Sequence, residues 1–167
     1  MKLNFVIIAL GILGLLPFFF SVYWVIDKQI IFGLTPFKVF STYSSVILTF
    51  LAGSLWADII VSRENFPLTP NQITVKSSAG MPNENIAIAF AIFSNIIALI
   101  CWVLLILPEE FYVISLTAQL FGFVIVLWVE AGWGLMQKKV DRDGYLSLRC
   151  LLTSVVCLAH IGMMLLN

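Results

Sequence analysis

Five stretches of this chain, Phe5–Ile26, Val39–Val61, Asn85–Leu107, Phe111–Met136 and Tyr145–Leu166, are apolar almost without a break. A helix rises 1.5 Å per residue, so about 20 apolar residues cross the ~30 Å hydrocarbon core of a bilayer. Every stretch reaches that length. A transmembrane strand would need only about 9–11 residues of alternating polarity, and these runs neither stop there nor alternate. The expected fold is all-α, an integral membrane bundle of five transmembrane helices that fills residues 1–167 as a single membrane domain. Composition points the same way: 61% of residues are hydrophobic and 11% charged, whereas soluble domains carry roughly 25% charged residues. A formal net charge of zero leaves no basic footprint for nucleic acid. The expected surroundings are the lipid bilayer, with a membrane-protein partner or homo-oligomer.

Lys2 followed by an apolar run fits the start of a signal peptide. A signal peptide then has a short apolar core and a small-residue cleavage site. Here the run continues through "LLPFFFSVYWVID", bulky to its end, so a retained first helix is expected. Five spans put the termini on opposite sides. One side carries Lys2, Arg63, Lys76, Lys138, Lys139 and Arg142, with Arg149 just inside the fifth span; the other carries Lys28 and Lys38. Basic residues favour the cytoplasmic face, which predicts a cytoplasmic N-terminus. The longest polar stretch, residues 62–84, contains Pro and Gly and reads as an irregular loop.

Ionisable residues inside the spans are the exceptions that ask for a reason. Asp58 lies near the inner end of the second span, Glu130 ~9 Å before the inner end of the fourth, and Arg149 ~6 Å into the fifth. Two acids and one base are thus expected at one depth. A charge at the centre of a spanning helix costs about 2.5–3.5 kcal/mol, less near the interface. Pairing relieves much of that, and the planar guanidinium fork can hold a carboxylate through two hydrogen bonds. Glu130 is therefore expected to meet Arg149. Gln119 and His160 share a second depth nearer the opposite face and are expected to hydrogen-bond there.

Helical spacing places these residues on stripes. Arg149, Thr153, Val156 and His160 align on the fifth span, Gln119, Phe123, Val126 and Glu130 on the fourth, and Ser44, Ile47, Ser54 and Asp58 on the second. The third span presents Ala87, Ala91, Asn95 and Ala98, a small-residue face suited to close packing. Gly11 and Gly14 offer the same on the first. All these stripes are expected to face inward. The candidate ligand or proton site is then Asp58, Glu130, Arg149, Gln119 and His160, set against the plainer reading that they fix helix register.

Other chemistry is thin. The three cysteines, Cys101, Cys150 and Cys157, form no CxxC pair, so neither a disulfide framework nor a metal site is expected. No nucleotide, hydrolase or metalloprotease motif occurs, and no cofactor is expected. "DRDG" at 141–144 lacks the acids a calcium loop needs at its first and twelfth positions. Pro17 is expected to kink the first helix or to free a backbone carbonyl.

"LGLLPFF" at 13–19, "YSSVILTFLAGSLWADI" at 43–59 and "YLSLRCLLT" at 145–153 resemble, in order, three landmarks of the transmembrane protein 69 family, known in bacteria as a domain of unknown function. The matching positions are Leu13, Gly14, Pro17 and Phe18, then Tyr43, Phe50, Leu51, Gly53 and Trp56, then Leu148, Arg149, Leu152 and Thr153. Ala52 and Ala57 stand where that pattern prefers Gly. The resemblance implies a small multi-pass protein of the bacterial cytoplasmic (inner) membrane, or of the mitochondrial inner membrane if eukaryotic. It implies no activity. The expected function is that of a non-enzymatic accessory or scaffold of a membrane complex; the alternative is a small transporter or a lipophilic-ligand or proton-binding protein using the Asp/Glu/Arg cluster.

Overall fold

The computed structural model describes residues 2–27, 30, 33–64, 84–137 and 143–166, and the side chains of 8–27, 30, 33–55, 85–132 and 144–166. The elements are α1 (Lys2–Leu13), α2 (Leu16–Asp27), α3 (Pro36–Glu64), α4 (Glu84–Ile106), a 3-10 turn at Glu109–Phe111, α5 (Tyr112–Gln137) and α6 (Asp143–Leu166). No β-strand occurs among the described residues. Four helical segments there are long and apolar enough to cross a membrane: Ile8–Asp27, Asn85–Ile106, Glu109–Gly132 and Gly144–Leu166.

The predicted second span falls on α3, which is not one of those four. Its 29 residues give ample length at 1.5 Å each, and its side chains are described only as far as Leu55. Ser41, Ser44 and Ser45 are all but fully buried. Helix α3 packs against α2, α4 and α5, and these serines are buried on the sides that meet its neighbours. Its inward line is Phe40, Ser44, Leu48, Ala52 and Leu55. Ser54, predicted to face inward, is exposed, and its hydroxyl bonds the Leu51 carbonyl of its own helix at 2.8 Å.

The first predicted helix is broken in two, and the break follows from Pro17. Proline has no N–H to give the Leu13 carbonyl. Phe18 N, which would reach Gly14 O in a continuous helix, donates to Leu15 O at 3.1 Å. Gly14 O is filled from outside: Tyr43 Oη of α3 donates to it at 2.8 Å. Just beyond the kink, Phe18 enters the core edge-on to Phe40 and Tyr43 at ring separations of 5.3 and 5.0 Å. Ser21 Oγ returns a bond to Pro17 O at 2.8 Å. Before the kink Gly11 lets α1 close on α6, since a Cβ there would stand 2.8 Å from Leu152 Cδ1. A Cβ on Gly122 would stand 2.6 Å from Leu48 Cδ2, so glycine likewise sets the approach of α5 to α3.

One corner is pinned by polar contacts. Thr35 precedes α3, accepts from Lys38 N at 3.2 Å and donates to Glu109 Oε1 at 2.9 Å, with Pro36 pre-set for the first helical position. Lys38 Nζ donates to Leu105 O at 2.6 Å, filling a carbonyl that the end of α4 leaves open.

Helix α4 departs from expectation. Its buried line is Ser94, Ile97, Cys101 and Leu104. The stripe Ala87, Ala91, Asn95 and Ala98, predicted to face inward, does not: its alanines are half-buried on the flank, and Asn95 is exposed on the far side. The larger apolar residues Phe90, Phe93 and Ile97 take the inward position.

Replacing Tyr43 by Phe leaves the Gly14 carbonyl without its partner in apolar surroundings. The variant is expected to lose about 0.6–2 kcal/mol of stability, read from denaturant unfolding in detergent micelles.

Candidate functional site

Helices α5 and α6 lie side by side and carry Glu130 and Arg149. Arg149 Nε donates to Glu130 Oε2 at 3.0 Å and Nη2 donates to the same oxygen at 2.6 Å. Both residues are buried, with 8% and 9% of their surface exposed. The fork thus closes on one carboxylate oxygen and not on two. A guanidinium has five N–H donors, and the contacts among the described residues use two of them. The side chain of Asp58, the third member of the predicted cluster, lies outside the described residues.

The second predicted cluster forms differently from its expectation. His160 and Gln119 are both fully buried, but their bonds go to neighbouring serines of α3. His160 Nδ1 lies 2.8 Å from Val156 O. A carbonyl can only accept, so Nδ1 carries the proton. In the neutral ring Nε2 is then an acceptor, and Ser44 Oγ, at 2.8 Å, donates to it. Three phenylalanine rings surround the imidazole, Phe40, Phe123 and Phe18, with centroids 4.8, 5.6 and 6.1 Å away.

Gln119 Nε2 lies 2.9 Å from each of Ser41 O, Ser41 Oγ and Ser45 Oγ. Two N–H groups serve three acceptors, while Gln119 Oε1 is buried with no hydrogen-bond partner among the described residues. Ser41 Oγ also meets Ser115 Oγ of α5 at 3.3 Å. The partner serines 41, 45 and 115 were not singled out by sequence reasoning. Their signal was position: Ser41, Ser44 and Ser45 fall within one turn of a span, opposite Gln119.

Between the two clusters lies a cavity of about 160 Å³. Leu10, Gly11 and Leu152 form one wall and Phe18 and Phe123 another, while Arg149 and Thr153 supply polar atoms. Gly11 and Gly14, which flank the kink, both line it. The space is a half-open cleft and not a sealed void. Among the described residues no group of three or more His, Cys, Asp or Glu side chains could hold a metal. Cys101 is buried, Cys157 half-buried and Cys150 exposed, all as free thiols.

A family model described as Protein of unknown function (DUF3429) matches residues 4–165. No curated protein and no solved structure matches the chain.

The buried pair can be tested by removing one partner and then both. Arg149→Ala strands the Glu130 carboxylate and is expected to cost ~3–5 kcal/mol. The double variant Glu130→Met, Arg149→Met is expected to recover most of that loss in the same unfolding measurement, since similar volume is restored without an orphan charge.

Proposed function

The chain belongs to that family of unknown function, DUF3429, and from this premise we propose that it is a multi-pass bundle of the bacterial cytoplasmic (inner) membrane, acting as a non-enzymatic accessory or scaffold of a larger membrane complex. In a eukaryote the counterpart is the mitochondrial inner membrane. The N-terminus faces the cytoplasm, as the seven-to-two division of basic residues favours. One observation carries the reading. The buried groups best suited to chemistry are engaged within the bundle: Arg149 with Glu130, His160 with Ser44 and Val156, and the Gln119 amide nitrogen with Ser41 and Ser45. Such bonds fix helix register. Kinship with the transmembrane protein 69 family is part of the same proposal. Its support is that landmark residues far apart in sequence meet, Tyr43 with Gly14 and Phe18.

Purification of the tagged chain in native lipid is the direct test. A membrane protein retained at fixed stoichiometry by both the wild type and Glu130→Gln is the expected result. Purification alone, with an uptake activity that Glu130→Gln abolishes, would refute the accessory role.

A second reading has its own observation. The cavity places Thr153 and the Arg149 guanidinium, two of whose five donors are engaged among the described residues, at an otherwise apolar space. That arrangement suits a small lipophile carrying a hydrogen-bond acceptor such as a carbonyl. Native mass spectrometry is expected to show a bound lipophile on the wild type and a reduced adduct on Leu152→Phe, which fills the cavity. Equal spectra from the two would remove this reading.

A further inference from the structure

Helix α4 stands at the rim of the bundle, packed on α3 and only lightly on α5. Its far side carries exposed Ile88, Ile92, Leu99 and Trp102, as a lipid-facing helix should. In the middle of that side is an exposed carboxamide, Asn95. It lies about 15 Å from either end of the span Asn85–Ile106, counted at 1.5 Å per residue. On the membrane reading of the fold, this is the centre of the hydrocarbon core.

The amide is only partly served by its own helix. Asn95 Nδ2 donates one hydrogen to Ala91 O at 2.8 Å, and no bond within the described chain uses its second hydrogen or Oδ1. The exposed hydroxyls of Ser54 and Ser154 differ. Each gives its single hydrogen to a carbonyl one turn back, Leu51 O and Cys150 O, both at 2.8 Å. A carboxamide carries an extra donor and a strong acceptor, and hydrocarbon supplies a partner for neither.

We infer that α4 is a self-association surface, and that Asn95 of one copy bonds Asn95 of a second copy across a two-fold axis normal to the membrane. Topology selects the second copy as the occupant. Every copy inserts with the same orientation, so its α4 runs parallel and presents Asn95 at the same depth. A carboxamide is self-complementary, and each can give its free N–H to the other's Oδ1. An isologous contact of this kind closes on itself. The half-buried Ala91 and Ala98 on the same flank keep the backbones near enough for two short side chains to meet.

This inference rests on the membrane reading, and one experiment separates the two. The labelled full-length chain is reconstituted into phospholipid vesicles and washed with carbonate, and its stoichiometry is counted by single-molecule photobleaching over a range of protein-to-lipid ratios. The wild type is expected to be dimeric at high density. Asn95→Leu, an exposed change that leaves the unfolding midpoint unaltered, is expected to weaken dimerisation about threefold to thirtyfold. Asn95→Gln keeps the amide and is expected to retain most of it, whereas bulky Ala91→Leu weakens it. A wild type monomeric at every density overturns the dimer while leaving the membrane reading in place, as does an Asn95→Leu dimer as strong as the wild type's. Loss of the wild-type chain from the vesicles in carbonate would remove the membrane reading itself.

Discussion

A polar group buried in an apolar bundle has no water to fall back on, and the packing is organised by that constraint. The kink in the first helix illustrates it. Pro17 takes one hydrogen bond out of the backbone ladder and redirects another, so the Gly14 carbonyl faces outward with nothing from its own helix. The phenol of Tyr43 fills the vacancy from α3. That bond seats Phe18 among the rings of Phe40, Tyr43 and Phe123, and those rings help wall in His160. A local backbone defect is thereby converted into a fixed position for α1 and α2 against α3.

The two polar clusters meet the same constraint in unlike ways. Glu130 and Arg149 carry formal charges of opposite sign on neighbouring helices and cancel each other. Loss of either leaves a charge that the interior cannot hydrate. The serine cluster carries no charge, and its members donate and accept over short steps along α3. It links α3 to α5 through Gln119 and to α6 through His160. Together they fix both ends of the interface: charge pairing holds α5 to α6 at one level, and hydrogen bonding ties both to α3 at the other.

What could be read from the chain alone followed from whether one property decided each feature. Run length decided the helices. Depth decided that Glu130 and Arg149 would stand level, because only rise per residue enters. Partner choice was harder. Gln119 and His160 share a depth, yet each turns to a serine on α3, because α3 offers hydroxyls at the right height. The stripe on α4 failed for a related reason. Small size and one polar group say that a face suits close packing, but they do not say against what. Within the chain, Phe90, Phe93 and Ile97 bury more apolar surface than Ala91 and Ala98, so the helix turns its larger residues inward.

Helix α3 shows how contact with several neighbours changes what a helix can carry. A helix facing lipid must be apolar around most of its circumference, while one enclosed by neighbours can replace apolar residues with hydroxyls that find partners. Helix α3 does this with Ser41, Ser44 and Ser45, each hydrogen-bonded to α5 or α6. It is the helix on which the packing of α2, α4 and α5 converges.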